Sequence, residues 1–139
     1  YENLSWYGRG PWENYPDRKT SCLIGRWSSK VSSQYTHYPR PQDSGNHEDV
    51  TEVTLTNKEG KGIRVTAIDR PFSFSALYYT VDDIYKATHD CEPRKEIILS
   101  LDAAVLGLGN SSCGPGVLKK YAIDKQKPHT LRVRFSLIK

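Results

Sequence analysis

The sequence contains no methionine and only three cysteines among its 139 residues. Cys22, Cys91 and Cys113 are an odd number at wide spacings, so they form neither a disulfide framework nor a CxxC metal pattern. We therefore expect free thiols, although an intramolecular pair stays open for an oxidising compartment. No apolar run approaches the roughly 20 residues that span a bilayer, and the first residues lack the pattern of a signal peptide. These absences favour a soluble globular protein.

Neither sign of charge dominates any segment. The 20 lysines and arginines are scattered among 16 acidic residues, which gives a formal net charge of +4. Because no basic stretch stands out, nucleic acid is not expected as a partner. A chain of this length can bury a sizeable core, and no change of composition marks a boundary, so residues 1–139 are predicted to form one domain.

Alternation of apolar and polar residues is the main structural signal. Val53 and Leu55 are followed, after a turn over 57–62, by Ile63 and Val65 on the same pattern, which predicts a β-hairpin. Further alternating runs cover 72–76, 97–101 and 131–137. Each run is expected to bury one face. One-sided strands at this spacing predict an all-β protein, an antiparallel sandwich of two sheets.

One short helix is predicted to interrupt the strands, between roughly residues 80 and 90. Thr80 and Asp83 have the spacing of a capping box, in which each side chain bonds the other residue's backbone N–H. The most loop-like segment is 38–48, YPRPQDSGNHE, because its two prolines favour an extended path.

The stretch YGRGPWENYPDRK at 7–19 combines glycines, prolines, aromatics and charges. Gly8, Gly10 and Pro11 predict a shaped loop that leaves a strand. One interpretation is a buried polar turn whose charged side chains satisfy one another and the loop backbone, namely Glu13, Asp17, Arg18 and Lys19. The alternative is a contact with a sugar or a partner, because aromatic faces beside amide and carboxylate groups suit a polyhydroxylated ligand.

Catalytic and metal-binding patterns are weak. The glycine-rich stretch at 107–116 lacks the Lys-Ser/Thr pair of a phosphate-binding loop, and Cys113 has no local signature of a nucleophile. Neighbouring acids, Glu48-Asp49 and Asp82-Asp83, point in different directions along a strand or helix. No metal site is predicted, because the histidines lie far apart in the sequence, at His37, His47, His89 and His129.

Four motifs in fixed order carry a family resemblance: GRGPWENYPDRK at 8–19, YPRPQDSGNHEDV at 38–50, FSFSALYYTVDDIYKATH at 72–89 and LDAAVLGLGNSSCGP at 101–115. Together they resemble the small-chain domain of glycoside hydrolase family 2 β-galactosidases, over nearly the whole chain. The resemblance implies an antiparallel supersandwich similar to galactose-mutarotase folds. Because the motifs match the second half of that domain, we expect this chain, which starts inside an aromatic stretch, to be its C-terminal part.

The resemblance also implies an activity, hydrolysis of terminal non-reducing β-D-galactose residues in β-D-galactosides. The catalytic carboxylates of the family lie in a barrel outside this segment, so this chain alone is expected to be inactive and to hold no cofactor. The Mg and Na ions that the family often uses bind elsewhere. Expected partners are the remaining domains of the enzyme and, in the intact enzyme, its galactoside, with a homo-oligomer left open. The implied location is cytoplasmic or periplasmic.

Site residues follow from the same resemblance. Some family members place a tryptophan that stacks on the sugar in the loop where this sequence has Cys113, so Asn110, Ser111, Ser112 and Cys113 are expected to border the sugar pocket. A thiol cannot replace an indole face, which puts stacking at this position in doubt. The ENYPDR turn is implied to be a structural signature, with Glu13, Asn14, Tyr15, Asp17 and Arg18 as its members.

A free-standing carbohydrate-binding module is the alternative function. It would require an exposed platform of coplanar aromatics drawn from Trp6, Trp12, Trp27 or the tyrosines, whereas burial of those rings favours a scaffold. A truncated supersandwich should also leave an apolar face or edge exposed, because the missing half would cover it.

Overall fold

The computed structural model describes residues 1–109 and 116–139. Antiparallel strands dominate these residues, as the alternation of the sequence predicts. They are β1 (Asn3–Gly10), β2 (Leu23–Lys30), β3 (His47–Val50), β4 (Glu52–Thr56), β5 (Gly62–Ala67), β6 (Phe72–Leu77), β7 (Ile98–Asp102) and β8 (Val133–Ile138). The helical elements are α1 (Val81–Lys86) and two 3-10 turns, Val31–Ser33 and Lys119–Tyr121.

Two antiparallel sheets face each other. The larger sheet has the strand order β2-β1-β4-β5-β8, and the smaller one has the order β3-β6-β7. Trp6 and Val53 of the larger sheet pack with Phe72 and Phe74 of the smaller one, and all four are at most 1% exposed. Burial of these large apolar groups is the main stabilising contribution to the fold. The prediction of an all-β, two-sheet sandwich is confirmed.

The local predictions with the clearest signals are correct. Residues Val53 and Val65 pair across the β4–β5 hairpin, whose turn is held by Asn57 Oδ1, which accepts from the backbone N–H groups of Glu59 and Lys61 at 2.9 and 3.0 Å. The capping box of α1 is present, because Thr80 Oγ1 accepts from Asp83 N and the Asp83 carboxylate accepts from Thr80 N.

Strand β8 does not bury its apolar face as the sequence pattern predicts. Phe135 and Leu137 are 62% and 79% exposed, although their partners on β5, Val65 and Ile63, are buried and half-buried. The reason is the unequal size of the sheets: β8 is the outermost of five strands that are faced by only three. The exposed apolar face that a truncated sandwich should show is therefore present. We call Val133, Phe135 and Leu137 the β8 face.

Two boundaries differ from the sequence prediction. Strand β1 continues through Gly8 and Gly10, which the sequence predicts to lie in a loop. Both positions are too crowded for a side chain: a Cβ at Gly8 would lie 2.6 Å from Val50 Cγ2, and one at Gly10 would lie 2.6 Å from Trp27 Cδ1. These glycines serve close packing within the sandwich. Strand β3 starts at His47, inside the segment predicted to be a loop, because the buried imidazole packs between the rings of Trp6 and Phe74.

Candidate functional site

Residues 13–18, the polar turn, follow β1 and are fixed to β3 by Asn14. The Asn14 side chain is fully buried; its Nδ2 donates to Trp12 O at 2.9 Å, and its Oδ1 accepts from Glu48 N at 2.8 Å. Its backbone N–H donates to Asn46 O at 2.7 Å, and its carbonyl accepts from Asn46 Nδ2 at 2.7 Å. Every polar group of Asn14 is thus bonded, which is what burial of an amide requires.

The Glu13 carboxylate joins the polar turn to the segment before β3. It accepts from Gly45 N at 2.8 Å, from the Tyr38 hydroxyl, and from Tyr15 Oη at 3.3 Å. Arg18 Nη2 lies 3.5 Å from Glu13 Oε1 at the more exposed side. Burial raises the pKa of Tyr15, and the neighbouring Glu13 carboxylate raises it further, so the phenol remains a hydrogen-bond donor.

Asp17 bonds a segment that is distant in the sequence. Its carboxylate accepts from Leu108 N at 3.0 Å and from Gly109 N at 2.6 Å. The same segment is held from the other side, because Gly107 N donates to Tyr121 O at 3.1 Å. A Cβ at Gly107 would lie 2.8 Å from Asp17 Oδ2, so this approach needs glycine.

Lys19 bonds outside the polar turn. Its Nζ lies 3.1 Å from Asp49 Oδ2, an atom that also contacts Arg9 Nε at 2.5 Å. Partial burial alone would raise the pKa of Asp49, but the hydrogen bonds from Arg9 and Lys19 outweigh it and lower that pKa. The prediction that Glu13, Asp17, Arg18 and Lys19 satisfy one another and the loop backbone holds for Glu13 with Arg18 and for Asp17 with the backbone at 108–109. It is wrong for Lys19, because its partners are carboxylates of β3.

The residues predicted to border a sugar follow Gly109 in the sequence. Asn110, Ser111, Ser112 and Cys113 are outside the described residues, so their contact with a galactoside stays a prediction. The structure describes their flank, where Asp17 holds the backbone of Leu108 and Gly109.

The tryptophans do not form a common platform in the part of the chain that the structure describes. Trp6 is 1% exposed, and Trp27 is half-buried against the core with its Nε1 donating to Gly8 O at 3.2 Å. Only Trp12 is open to solvent, at 72% exposure. A single exposed ring is a weak sugar-binding surface compared with stacked, coplanar rings.

The acidic pairs noted in the sequence hold structural roles. Glu48 Oε1 accepts from Ser73 Oγ at 2.6 Å and from Asn46 Nδ2 at 3.1 Å. Arg94 donates to both oxygens of Asp83, at 2.5 and 2.8 Å, and these bonds are the main cause that lowers the pKa of Asp83. Over residues 1–109 and 116–139, no group of three or more His, Cys, Asp or Glu could hold a metal ion, and no helix could cross a membrane.

His47 is a buried polar residue whose role the sequence does not reveal. Its Nε2 lies 2.7 Å from Gln34 Oε1 and its Nδ1 lies 3.3 Å from Arg9 O, while burial lowers its pKa to about 4. The one sequence feature that could have located His47 is its place inside the motif at 38–50. In the structure its neighbours Asn46 and Glu48 both bond the polar turn.

The two facing sheets define the chain as a β-sandwich. Its characteristic motif, the polar turn, holds segments of the fold together. Residues 1–137 match the family described as beta galactosidase small chain, and the chain belongs to that family.

Among its relatives, a beta-galactosidase of Kluyveromyces lactis is 35% identical over 91% of this chain and 12% of its own length. Beta-galactosidase BgaC of Bifidobacterium adolescentis is 37% identical over 99% of this chain and 13% of its own length. A beta-galactosidase of Arthrobacter sp. is 33% identical over 96% of this chain and 14% of its own length. The chain therefore spans only 12–14% of the length of these relatives.

Proposed function

We propose that this chain is a non-catalytic β-sandwich region of a β-galactosidase, an enzyme that hydrolyses terminal non-reducing β-D-galactose residues in β-D-galactosides. The chain packs on the rest of the enzyme, which carries the catalytic carboxylates, and residues 110–113 border the sugar pocket. Mg and Na ions of such an enzyme would bind outside this chain. The observation that carries the proposal is the family match over residues 1–137, since the relatives compared above are β-galactosidases.

The β8 face supports packing on another part of the enzyme. Beside it, a groove of about 490 Å³ opens between the sheets and is lined mainly by apolar or aromatic residues, including Leu55, Ile63, Ile97 and Leu99. Exposed apolar surface of this kind is unfavourable in a separate domain and marks an interaction site. In a polypeptide of which this chain is about an eighth, the remaining domains supply the surface that covers it.

The positions of the tryptophans favour this scaffold over a free-standing carbohydrate-binding module. Trp6 and Trp27 contribute to the core, and their hydrogen bonds go to the backbone of β1, at Arg9 O and Gly8 O. A module that binds sugar by stacking needs those rings at its surface. Among the described residues, the exposed rings of Tyr1, Tyr7, Trp12 and Tyr85 form no aromatic pair with one another, so no stacked platform supports the second function.

The border with the sugar pocket is tested at Cys113 in the intact enzyme. If the loop touches substrate, Cys113→Trp should change KM for a nitrophenyl galactoside by about two- to tenfold, because an aromatic stack contributes roughly 0.5–1.5 kcal/mol. The effect falls on KM when the ring contacts ground state and transition state equally. Cys113→Ala is the matched variant, because it removes the thiol without adding a ring. Unchanged kcat and KM in both variants would exclude the contact.

The absence of catalysis by the chain itself has a separate test. Retaining hydrolysis of a galactoside requires two carboxyl groups about 5 Å apart, one as acid and one as nucleophile. The purified 139-residue chain should release no nitrophenol above the buffer rate. Turnover that disappears on replacing one acidic residue of this chain would refute the proposal.

A further inference from the structure

The outer face of the β6–β7 pair carries a pocket that the proposed function does not use. Alternate residues of these strands point away from the core and form three cross-strand pairs: Ser73 with Asp102, Ser75 with Ser100, and Leu77 with Ile98. The last two pairs and Asp102 lie on the floor of a cavity of about 340 Å³. Its floor therefore changes from polar at Asp102 to apolar at Ile98.

The walls of this pocket come from three segments that are distant in sequence. Ile84 of α1, which is 2% exposed, closes the apolar end. Leu106 and Leu108 form a second wall, and the segment 43–46 forms a third. The volume lies in the range of roughly 300–1,000 Å³ that is typical of small-molecule sites.

One polar group in the wall lacks a partner. Ser44 is 4% exposed, lines the pocket, and its Oγ has no hydrogen-bond partner among the described residues. A buried hydroxyl without a partner is unfavourable, and such groups are uncommon in folded proteins unless a ligand or water bonds them. Ser75 and Ser100 add two half-buried hydroxyls that face each other across the strand pair.

The charge of the lining limits the class of ligand. No lysine, arginine or histidine is among the described residues that line the pocket, whereas Asp43 and Asp102 are. Burial raises the pKa of Asp102, and the nearby Glu48 carboxylate raises it further. The hydroxyls of Ser44, Ser75 and Ser100 can each donate and accept hydrogen bonds. An anionic ligand is therefore disfavoured, and a neutral ligand that can both donate and accept hydrogen bonds is favoured.

We propose that this pocket binds a neutral polyhydroxylated molecule of monosaccharide size, with its hydroxyls toward Ser44, Ser75, Ser100 and Asp102 and its apolar side toward Leu77 and Ile98. The site is an accessory one, separate from galactoside hydrolysis, and it does not depend on residues 110–113 bordering the sugar pocket. No bond is made or broken there.

Amide hydrogen exchange of the intact protein, with D-galactose, D-glucose and myo-inositol as probes, tests the site. At saturating concentrations at least one of them should slow exchange of the amides in 75–77 and 98–102 by twofold or more. Ser75→Ala with Ser100→Ala should weaken that binding about tenfold, because each lost hydroxyl removes one hydrogen bond. Ser136→Ala is the matched control, since Ser136 is an exposed strand serine outside the pocket and should leave the binding unchanged.

Two results would overturn the proposal. In the first, no probe changes exchange in these strands, which includes the case in which another part of the polypeptide covers the pocket and already protects them. In the second, the protection survives the double serine variant. Ser100→Leu, which fills the cavity with apolar volume, gives an independent check: it should abolish binding while hydrolysis of a nitrophenyl galactoside continues. If Cys113→Trp instead leaves KM unchanged, that result refutes only the contact of residues 110–113 with the sugar pocket.

Discussion

Asn14 in the polar turn is fully buried and every polar group it carries is bonded, whereas Phe135 and Leu137 on the β8 face are 62% and 79% exposed. The partners of the polar turn all lie within this chain: they come from β3, from the segment before it and from residues 108–109. The β8 face is apolar and has too few strands opposite it to be covered. Hydrogen bonds require specific residue types at fixed positions, but apolar packing tolerates many. The polar turn can therefore be recognised as a sequence motif. The β8 face has no such motif, and its apolar residues are explained only by a surface that packs on them.

The largest effect is expected from Asn14→Ala. This change leaves Glu48 N without its side-chain partner in a buried site and leaves Trp12 O with only the weak donor Cys22 Sγ at 3.6 Å. At about 1–3 kcal/mol for each lost partner, the free energy of unfolding should fall by about 4 kcal/mol. Urea unfolding of the chain measures it. Asn3→Ala is the control, because the Asn3 amide bonds Asn57 O at the half-buried edge of β1 and should cost less than about 1 kcal/mol. Equal losses in both variants would mean that the polar turn is no more stabilising than an ordinary surface contact.

Acid should weaken the polar region through His47. Its pKa of about 4 in the folded protein lies below the ordinary value of 6.5, so the unfolded chain binds the proton first as the pH falls. The contribution of neutral His47 to stability is complete above pH 6.5 and is lost progressively down to about pH 4. It amounts to about 3 kcal/mol at 1.36 kcal/mol for each unit.

The measurement is the free energy of unfolding in urea at several values between pH 7 and pH 4. His47→Gln should be less stable at pH 7 but should lose about 3 kcal/mol less than the wild type over this range. His129→Gln serves as the control, because His129 is exposed. A wild type and a His47→Gln variant with parallel pH profiles would contradict a buried, neutral imidazole.

Asp17→Asn should have a smaller effect. The amide keeps one acceptor for Leu108 N or Gly109 N but presents an NH₂ group to the other and removes the charge, so we expect a loss of about 2 kcal/mol. Amide exchange at 108–109 should accelerate in parallel. Asp124→Asn is matched to it, because Asp124 accepts from Gln126 N in an exposed turn and should change stability by less than about 0.5 kcal/mol. Unaltered exchange at 108–109 would show that Asp17 does not hold this segment.

The smallest effect on the chain itself is expected at the β8 face. Replacing Phe135 and Leu137 together by threonine keeps β propensity and should change the stability of the separate chain by less than about 0.5 kcal/mol. It should nevertheless reduce self-association of the chain, measured by sedimentation, and destabilise the intact enzyme in which the face is covered. A chain that is monomeric at all concentrations before the change would count against an uncovered face.

Local signals account for what could be predicted of the fold. The β4–β5 hairpin and the capping box of α1 depend on residues a few positions apart, so the sequence displays them. Strand β3 was not predicted because its buried His47 lies in a segment with two prolines, and Asp49 adopts a φ of +56° within the strand. The exposure of β8 depends on how many strands lie opposite it, which no local pattern records.

The candidate site was less accessible to prediction. The residue types of the polar turn were evident, but Asp17 finds its partners 91 and 92 positions away, and Lys19 finds Asp49 30 positions away. Residues 110–113 entered through family resemblance alone. The pocket on β6 and β7 has no sequence motif, because Ser75, Ser100 and Ser44 are ordinary residue types that only the sheet register and a loop bring together.

The contact between Asp17 and residues 108–109 also has a consequence for the order of events during synthesis. A carboxylate near the start of the chain cannot meet amides about 90 residues later until that segment has left the ribosome and returned to the sandwich. Closing so long a loop costs conformational entropy that the new contacts must offset, so we expect these hydrogen bonds to form late in folding. We expect the amides of 108 and 109 to gain protection from exchange later than those of the β4–β5 hairpin during refolding. Protection of 108 and 109 before the hairpin would contradict this order.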